Sequence, residues 1–356
     1  MLISVERLTE LVETTLRQGT GNADGAAKVA RHLVEANLMG HDSHGVGVSP
    51  LYMESVKAGE LHPDANAEVV QEKGPFLQVD GNQGFGQVVA RQAMEMAIEK
   101  AKQSHIAVLS LRNCFHIGRI GAWGTMAAEA GFISIHYVNV LSPNSLVAPF
   151  GGREPRFTTN PYCTAIPATD RHPMFLLDMA TSTIAQGKTR VAYNKGVEVP
   201  ENSLIDHEGN PTNDPAVMFE EPKGALRTMG QHKGFGMALI CDILGGSLSG
   251  GGAYLPDRVV ESRVVDNMLA ILIDPNVFGG ADEFFGDIDN YTDWVKSSPP
   301  APGVDAVMFP GEPERKSRAD REANGIPVDD NTWEQLLASA RDVGITEDEI
   351  ERIISA

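Results

Sequence analysis

"IAVLSLRNCFHIGRIGAWGTMAAEAGFISIHYVNV", residues 106–140, decides the fold class. Residues 106–112 form an apolar run that suits a short strand. The stretch breaks at Asn113 and passes Gly118 and Gly121 into a helix that ends near Gly131. Residues 132–140 return to strand character. Just upstream, "QVVARQAMEMAIEKAKQ" (87–103) has a helical pattern, and "EVVQEKGPFLQVDG" (68–81) has β-type apolar positions around a Gly-Pro turn. Helices and strands mix here without strict βαβ regularity. The prediction is an α/β domain with a mixed sheet. Gly81, Gly84 and Gly86 do not give G-x-G-x-x-G after a strand, so no Rossmann fingerprint is present.

Upstream, the first sixty residues read as helices. Leu8, Leu11, Val12 and Leu16 fall at helical spacing, and so do Ala26, Val29, Ala30, Leu33 and Leu38. Gly40 can close the second helix, and Ser49-Pro50 can open a third. This start has too little surface to bury by itself and should pack on later segments. Downstream, "PMFLLDMATS" (173–182) reads as a buried strand ending in Asp178. "HKGFGMALICDILGGSLSG" (232–250) reads as a buried helix rich in small residues, and "MLAILIDP" (268–275) as a buried strand. "SRADREANG" and "TEDEIERIISA" are helical, and Thr346 with Glu349 make a capping-box pair.

The chain has 356 residues, more than one compact core usually holds, so two domains are expected. Its formal charge of −19 disfavours nucleic acid and anionic membrane as partners. The three cysteines form no CxxC pair, which argues against a disulfide framework or a zinc knuckle. No apolar run approaches the ~18 residues that span a bilayer. A reduced, cytoplasmic enzyme is the expected class.

Five constellations are candidates for chemistry. His41 and His44 sit three apart in "GHDSHGVGVSPLY" (40–52), the spacing of a metal pair, but no HExxH or further ligand motif accompanies them. No metal is therefore expected, and a polar helix end is the plainer reading. Ser43 and His44 are adjacent, and adjacent side chains point apart, so they make no obvious nucleophile–base pair. In "FHIGRIG" (115–121), glycines and Arg119 at a helix start suit a phosphate, or a plain turn. Asp178 could orient a histidine, bind a ribose hydroxyl, or cap the residues that follow it. "QHKGFG" (231–236) offers Lys233 at a second helix start, and "FPGEPE" (309–314) is a rigid turn with two acids.

Taken in order, these blocks resemble the malate/L-lactate dehydrogenase-type family of oxidoreductases, a non-Rossmann group. "GHDSHG", "HIGRIG", "VAPFGG" (147–152), "TNP" (159–161), "LLDMATS", "GKTRVA" (187–192), "HKGFG" and "FPGE" are collinear and cover nearly the whole chain. "LIDHEGNPTNDPAVM" (204–218) and "ILGGSLSGG" (243–251) point to its hydroxycarboxylate dehydrogenase branch.

The resemblance implies a sulfolactate dehydrogenase-like fold. A mainly helical domain would be built from residues 1–70 with 265–356, and an α/β cofactor-binding domain from 71–264. It implies a homodimer, and hydride transfer between NAD (or NADP) and a small 2-oxo or 2-hydroxy acid. By resemblance, His44, Gly118, Arg119, Ile120, Asp178 and Met179 contact the cofactor. So do His232, Lys233, Asn267, Gly311, Glu312, Pro313 and Glu314. Ser43, Val48, Tyr52 and Asn160 face the substrate. His116 is the favoured acid/base, His44 the other candidate, and Asp178 a fixer of a histidine. Many members carry an arginine where this chain has Val48, so a second carboxylate on the substrate loses support and a large side chain, as in phenylpyruvate, gains it. A malate-, lactate- or ureidoglycolate-type enzyme and a cyclic imino-acid reductase are the alternatives. A metal-dependent hydrolase is the rival from another class.

Overall fold

The computed structural model describes residues 1–259 and 263–355. Ser4 caps α1 (Val5–Thr20) by accepting from the Arg7 amide, and Asn22 caps α2 (Ala23–Leu38) through Gly25. Leu8, Leu11, Val12 and Leu16 of α1 lie with Ala26, Val29, Ala30 and Leu33 of α2 in one buried cluster. Each large side chain so buried contributes about 1.5–3 kcal/mol. Two short 3₁₀ turns, Asp42–His44 and Val46–Val48, lead into α3 (Ser49–Lys57), which has its proline in the first turn.

The main sheet has seven strands. They are β1 (Glu68–Lys73), β2 (Phe76–Asp80), β3 (Ile106–Cys114), β4 (Ile133–Leu141), β5 (Tyr162–Ile166), β6 (Phe175–Met179) and β7 (Val265–Ile273). Their spatial order is β1-β2-β3-β7-β4-β5-β6. Only β2 and β3 run parallel; every other neighbouring pair is antiparallel. This is the mixed sheet expected of the sequence. Helices α4 (Gly86–Ser104) and α5 (Gly121–Glu129) cover one face, burying Val89, Met94 and Trp123 against Leu109, Leu111 and Met268.

Helix α6 (Gln186–Lys195) and a three-stranded sheet of Leu204–Ile205, Pro211–Thr212 and Ala225–Leu226 enclose a small third core. Then come α7 (His232–Cys241), α8 (Ala281–Lys296), α9 (Glu312–Asn324), α10 (Asp330–Asp342) and α11 (Glu347–Ser355). Leu336, Leu337, Ile350 and Ile353 of the last two helices join the α1–α2 core, and the Thr346 hydroxyl caps α11 by accepting from Glu349 N.

Two expectations change. The division at residue 265 cuts off a strand that pairs on both edges in the middle of the sheet, so 265–273 goes with the α/β layer. The segment 232–250 is not buried on all sides. It is α7 followed by a π-helical turn, Asp242–Leu248. Gly245 presses it onto the β4 backbone and Gly246 onto the Asn139 side chain, while Leu239, Ile240, Ile243 and Leu248 stay exposed.

Candidate active site

Three elements converge on His116. A Cβ at Gly86 would lie 2.2 Å from the His116 carbonyl oxygen and 2.3 Å from that of Phe115. Only glycine lets α4 start against this backbone. The next residue, Gln87, donates from Nε2 to the Tyr52 hydroxyl at 2.7 Å. Tyr52 has one proton to give, and its oxygen stands 2.6 Å from His116 Nδ1. The tyrosine therefore donates to Nδ1, and the neutral imidazole carries its proton on Nε2. His116 Nε2 has no hydrogen-bond partner among the described residues. Tyr52 is fully buried on α3, which explains why its hydroxyl needs both partners.

His44 stacks on His116, with ring centroids 5.6 Å apart and planes 17° from parallel. The Ser43 hydroxyl lies 3.0 Å from His44 Nδ1. This corrects the expectation that the two side chains diverge: the tight 3₁₀ turn folds one back on the other. A Cβ at Gly187 would come 2.8 Å from Ser43 Cβ, so the first turn of α6 abuts Ser43. Both rings are partly buried. Burial pushes His116 down to about 3, with repulsion from His44 adding to it. Burial pushes His44 down to about 4, although Asp178 pulls the other way. Both are neutral in the free chain at pH 7.

Asp178 caps an earlier helix rather than the residues that follow it. It caps α5: its Oδ2 accepts from the Gly121 amide at 2.7 Å. The carboxylate thus satisfies one of the free amides at the start of α5. Arg119 is 2% exposed, with Nη2 3.4 Å from Glu35 and Nη1 3.9 Å from Asp178. It is an internal cation, and its backbone amide donates to buried His32 at 3.1 Å. Gly118 has φ +74, and a Cβ there would meet the His32 ring at 2.3 Å.

The remaining residues divide. Glu314 lies 3.4 Å from His41 and within electrostatic reach of Arg119. Gly311, Glu312 and Pro313 form the left-handed turn and first turn of α9 beside β6, where the Pro310 carbonyl accepts from Leu176. Ile120 is buried at the α5 start. Met179 alternates to the opposite sheet face from Asp178. Val48 packs on the helical core. Asn267 and Asn160 are fully buried in a polar ladder that runs through Asn139 and Asp242. His232 and Lys233 stand exposed at the α7 start, and His232 meets the Phe150 ring edge. No contact links them to the histidine pair among the described residues.

Gln87 and Asp266 went unnoticed in the sequence. Asp266 sits at the head of an apolar strand, the same signal that singled out Asp178. The chemistry of a nicotinamide nucleotide fits the cluster. Glu314 Oε2 and Arg119 Nη1 are buried polar atoms without a hydrogen-bond partner. A carboxamide and ribose hydroxyls offer the donors and acceptors that these two lack. Among the described residues no group of three or more His, Cys, Asp or Glu could hold a metal ion.

A family model described as malate/L-lactate dehydrogenase matches residues 3–337. Hydroxycarboxylate dehydrogenase B of Escherichia coli (strain K12) is 43% identical over 348 residues, covering 97% of this chain and 95% of the relative. L-lactate dehydrogenase of Cupriavidus necator is 37% identical, covering 97% and 99%. The solved sulfolactate dehydrogenase of Methanocaldococcus jannaschii superposes with a TM-score of 0.85 at 32% identity, covering 99% of each chain. With its mixed sheet and its paired histidines, this chain belongs to the malate/L-lactate dehydrogenase family of 2-hydroxycarboxylate dehydrogenases.

Proposed function

We propose that the chain interconverts a 2-oxo and a 2-hydroxy carboxylate bearing a large apolar side chain, of the phenylpyruvate type, with NAD(H) as cofactor. His116 is the proton donor and acceptor. The observation that carries this reading is the Gln87–Tyr52–His116 chain of hydrogen bonds, which ends on a ring whose Nε2 is unpartnered. When bound, the nicotinamide supplies or accepts the hydride at C2. His116 Nε2 protonates the oxygen that becomes the hydroxyl, and takes that proton back in oxidation. Tyr52 holds the ring through Nδ1, and His44, stacked beside it, lines the site. Nothing negative lies against His116 in the free chain to offset burial. A substrate carboxylate supplies that charge and raises the imidazole toward the working pH.

Substrate size follows from what the site lacks. Val48 offers no cation, Arg119 is committed to Glu35 and Asp178, and Arg190 lies over the Phe219 ring at 3.9 Å. A second carboxylate would find no free cation at these three positions. Val48→Arg is expected to raise kcat/KM for dicarboxylic over aromatic oxo acids about tenfold, roughly the 1.4 kcal/mol of one exposed charge-assisted contact. Steady-state rates on both classes check this, and unchanged selectivity refutes it.

The active species is a homodimer. The sheet face opposite α4 and α5 carries Ile135, Tyr137, Tyr162 and Leu177, all partly exposed and uncharged. The exposed ridge of Leu239, Ile240 and Ile243 continues it. On a chain of charge −19, an uncharged apolar face is where two copies can meet without repulsion. Ile243→Asp is expected to shift the light-scattering mass from two chains to one; a mass that stays at two chains contradicts the assignment. Among the described residues no helix is long and apolar enough to cross a membrane.

A further inference from the structure

We propose that Asp266 is a positioning residue for the proton-transfer step: its carboxyl group holds the Ile117 amide and thereby sets the His116 ring. The proposal rests on the reading of His116 as proton donor. Asp266 lies at the head of β7 and is 2% exposed. Its Oδ2 accepts from Ile117 N at 2.9 Å, while Oδ1 is buried with no partner. Ile117 N belongs to the peptide group whose carbonyl is that of His116. The same peptide is pressed from its other side by Gly86, where a Cβ would sit 2.2 Å from the oxygen. The plane next to the His116 Cα is therefore gripped at both ends.

The grip extends along the loop. The neighbouring Asn267 accepts from Asn113 N at 2.9 Å, and Asn113 holds a left-handed φ of +54 one residue before β3 ends. Between Asp266 and Met268 the pairing with β3 slips by a bulge, which places two consecutive β7 side chains along this one loop. Asp266 and Asn267 thus fix amides 113 and 117, either side of His116. Tyr52 then fixes the ring itself. Leaving one carboxyl oxygen buried and unpaired is costly, and burial pushes the Asp266 group up to about 7. What the loop needs from this residue is an acceptor, and an amide of the same shape provides one.

The test uses the full chain, NADH and phenylpyruvate, with Asp266→Ala, Asp266→Asn and, as a marker of lost proton transfer, His116→Ala. Asp266→Ala is expected to lower kcat about a hundredfold, the usual consequence of a reacting group displaced by ~1 Å. KM and the NADH dissociation constant from fluorescence should change less than about threefold, since neither contact is touched. Asp266→Asn should restore kcat to within about threefold of the parent, because its amide oxygen can take the place of Oδ2 and accept from Ile117. Hydrogen exchange in the 115–121 peptide should accelerate in Asp266→Ala and not in Asp266→Asn. Asp266→Ser, too short to reach the amide, carries the same test if the alanine variant does not fold. An alanine variant that keeps kcat while His116→Ala loses it overturns the positioning role, as do alanine and asparagine variants that fall equally. If His116→Ala itself retains turnover, the acid/base reading fails instead, and the exchange data alone decide whether Asp266 holds the loop.

Discussion

Alanine at His116 is expected to lower kcat about 10³-fold, inside the 10²–10⁴ range for loss of a general acid–base group. The NADH dissociation constant should stay within about threefold, because the ring's fixed contact is to Tyr52 rather than to the proposed cofactor groups Glu314 and Arg119. The imidazole is held at Nδ1, and among the described residues its Nε2 has no hydrogen-bond partner. His44 stacks on it, but Ser43 occupies His44 Nδ1. A His44→Ala variant should therefore be the milder of the two in kcat. Steady-state turnover and fluorescence titration of both variants provide the check. Equal losses would show that the two histidines share the proton.

Asp178→Ala is expected to destabilise the fold by about 3–5 kcal/mol, the cost of stripping a partner from a buried charge. Arg119 has 1% of its side chain exposed and, among the described residues, would keep Glu35 at 3.4 Å as its ion-pair partner. The α5 start would also lose its cap at Gly121, worth about 0.5–2 kcal/mol on its own. Asp178→Asn keeps an acceptor for Gly121 and should recover part of the loss. Urea midpoints measure both. A midpoint for Asp178→Ala equal to that of the parent would mean that Glu35 alone neutralises Arg119, and would move Asp178 from scaffold to ligand contact.

Much of the architecture is legible locally. Periodicity marks α1 and α2, the Gly-Pro turn marks the β1–β2 hairpin, and residues 106–140 announce a mixed sheet. The position of β7 is not legible, because its pairing with β3 and β4 spans more than a hundred residues. Nor is the exposed ridge of α7: an apolar helix reads the same whether its own chain or a second copy covers it. In the site, residue types pointed to His44, His116 and Asp178. The role of Asp178 was hidden because the helix it caps lies 57 positions before it. Ser43 and His44 meet only because the chain tightens into a 3₁₀ turn, which Gly45 and Gly47 leave room for. Tyr52 at His116 depends on Gln87, whose place is set by the contact of Gly86 with a loop thirty residues on.

The central claim is direct hydride transfer at C2 of an oxo acid. It is tested by incubating the protein with NADH carrying deuterium at both C4 positions and with phenylpyruvate, then reading the hydroxy acid by mass spectrometry and proton NMR. The account predicts one deuterium per product, located at C2, at a rate matching NADH loss. NADH left unconsumed, or a hydroxy acid whose C2 hydrogen comes from water, would contradict it.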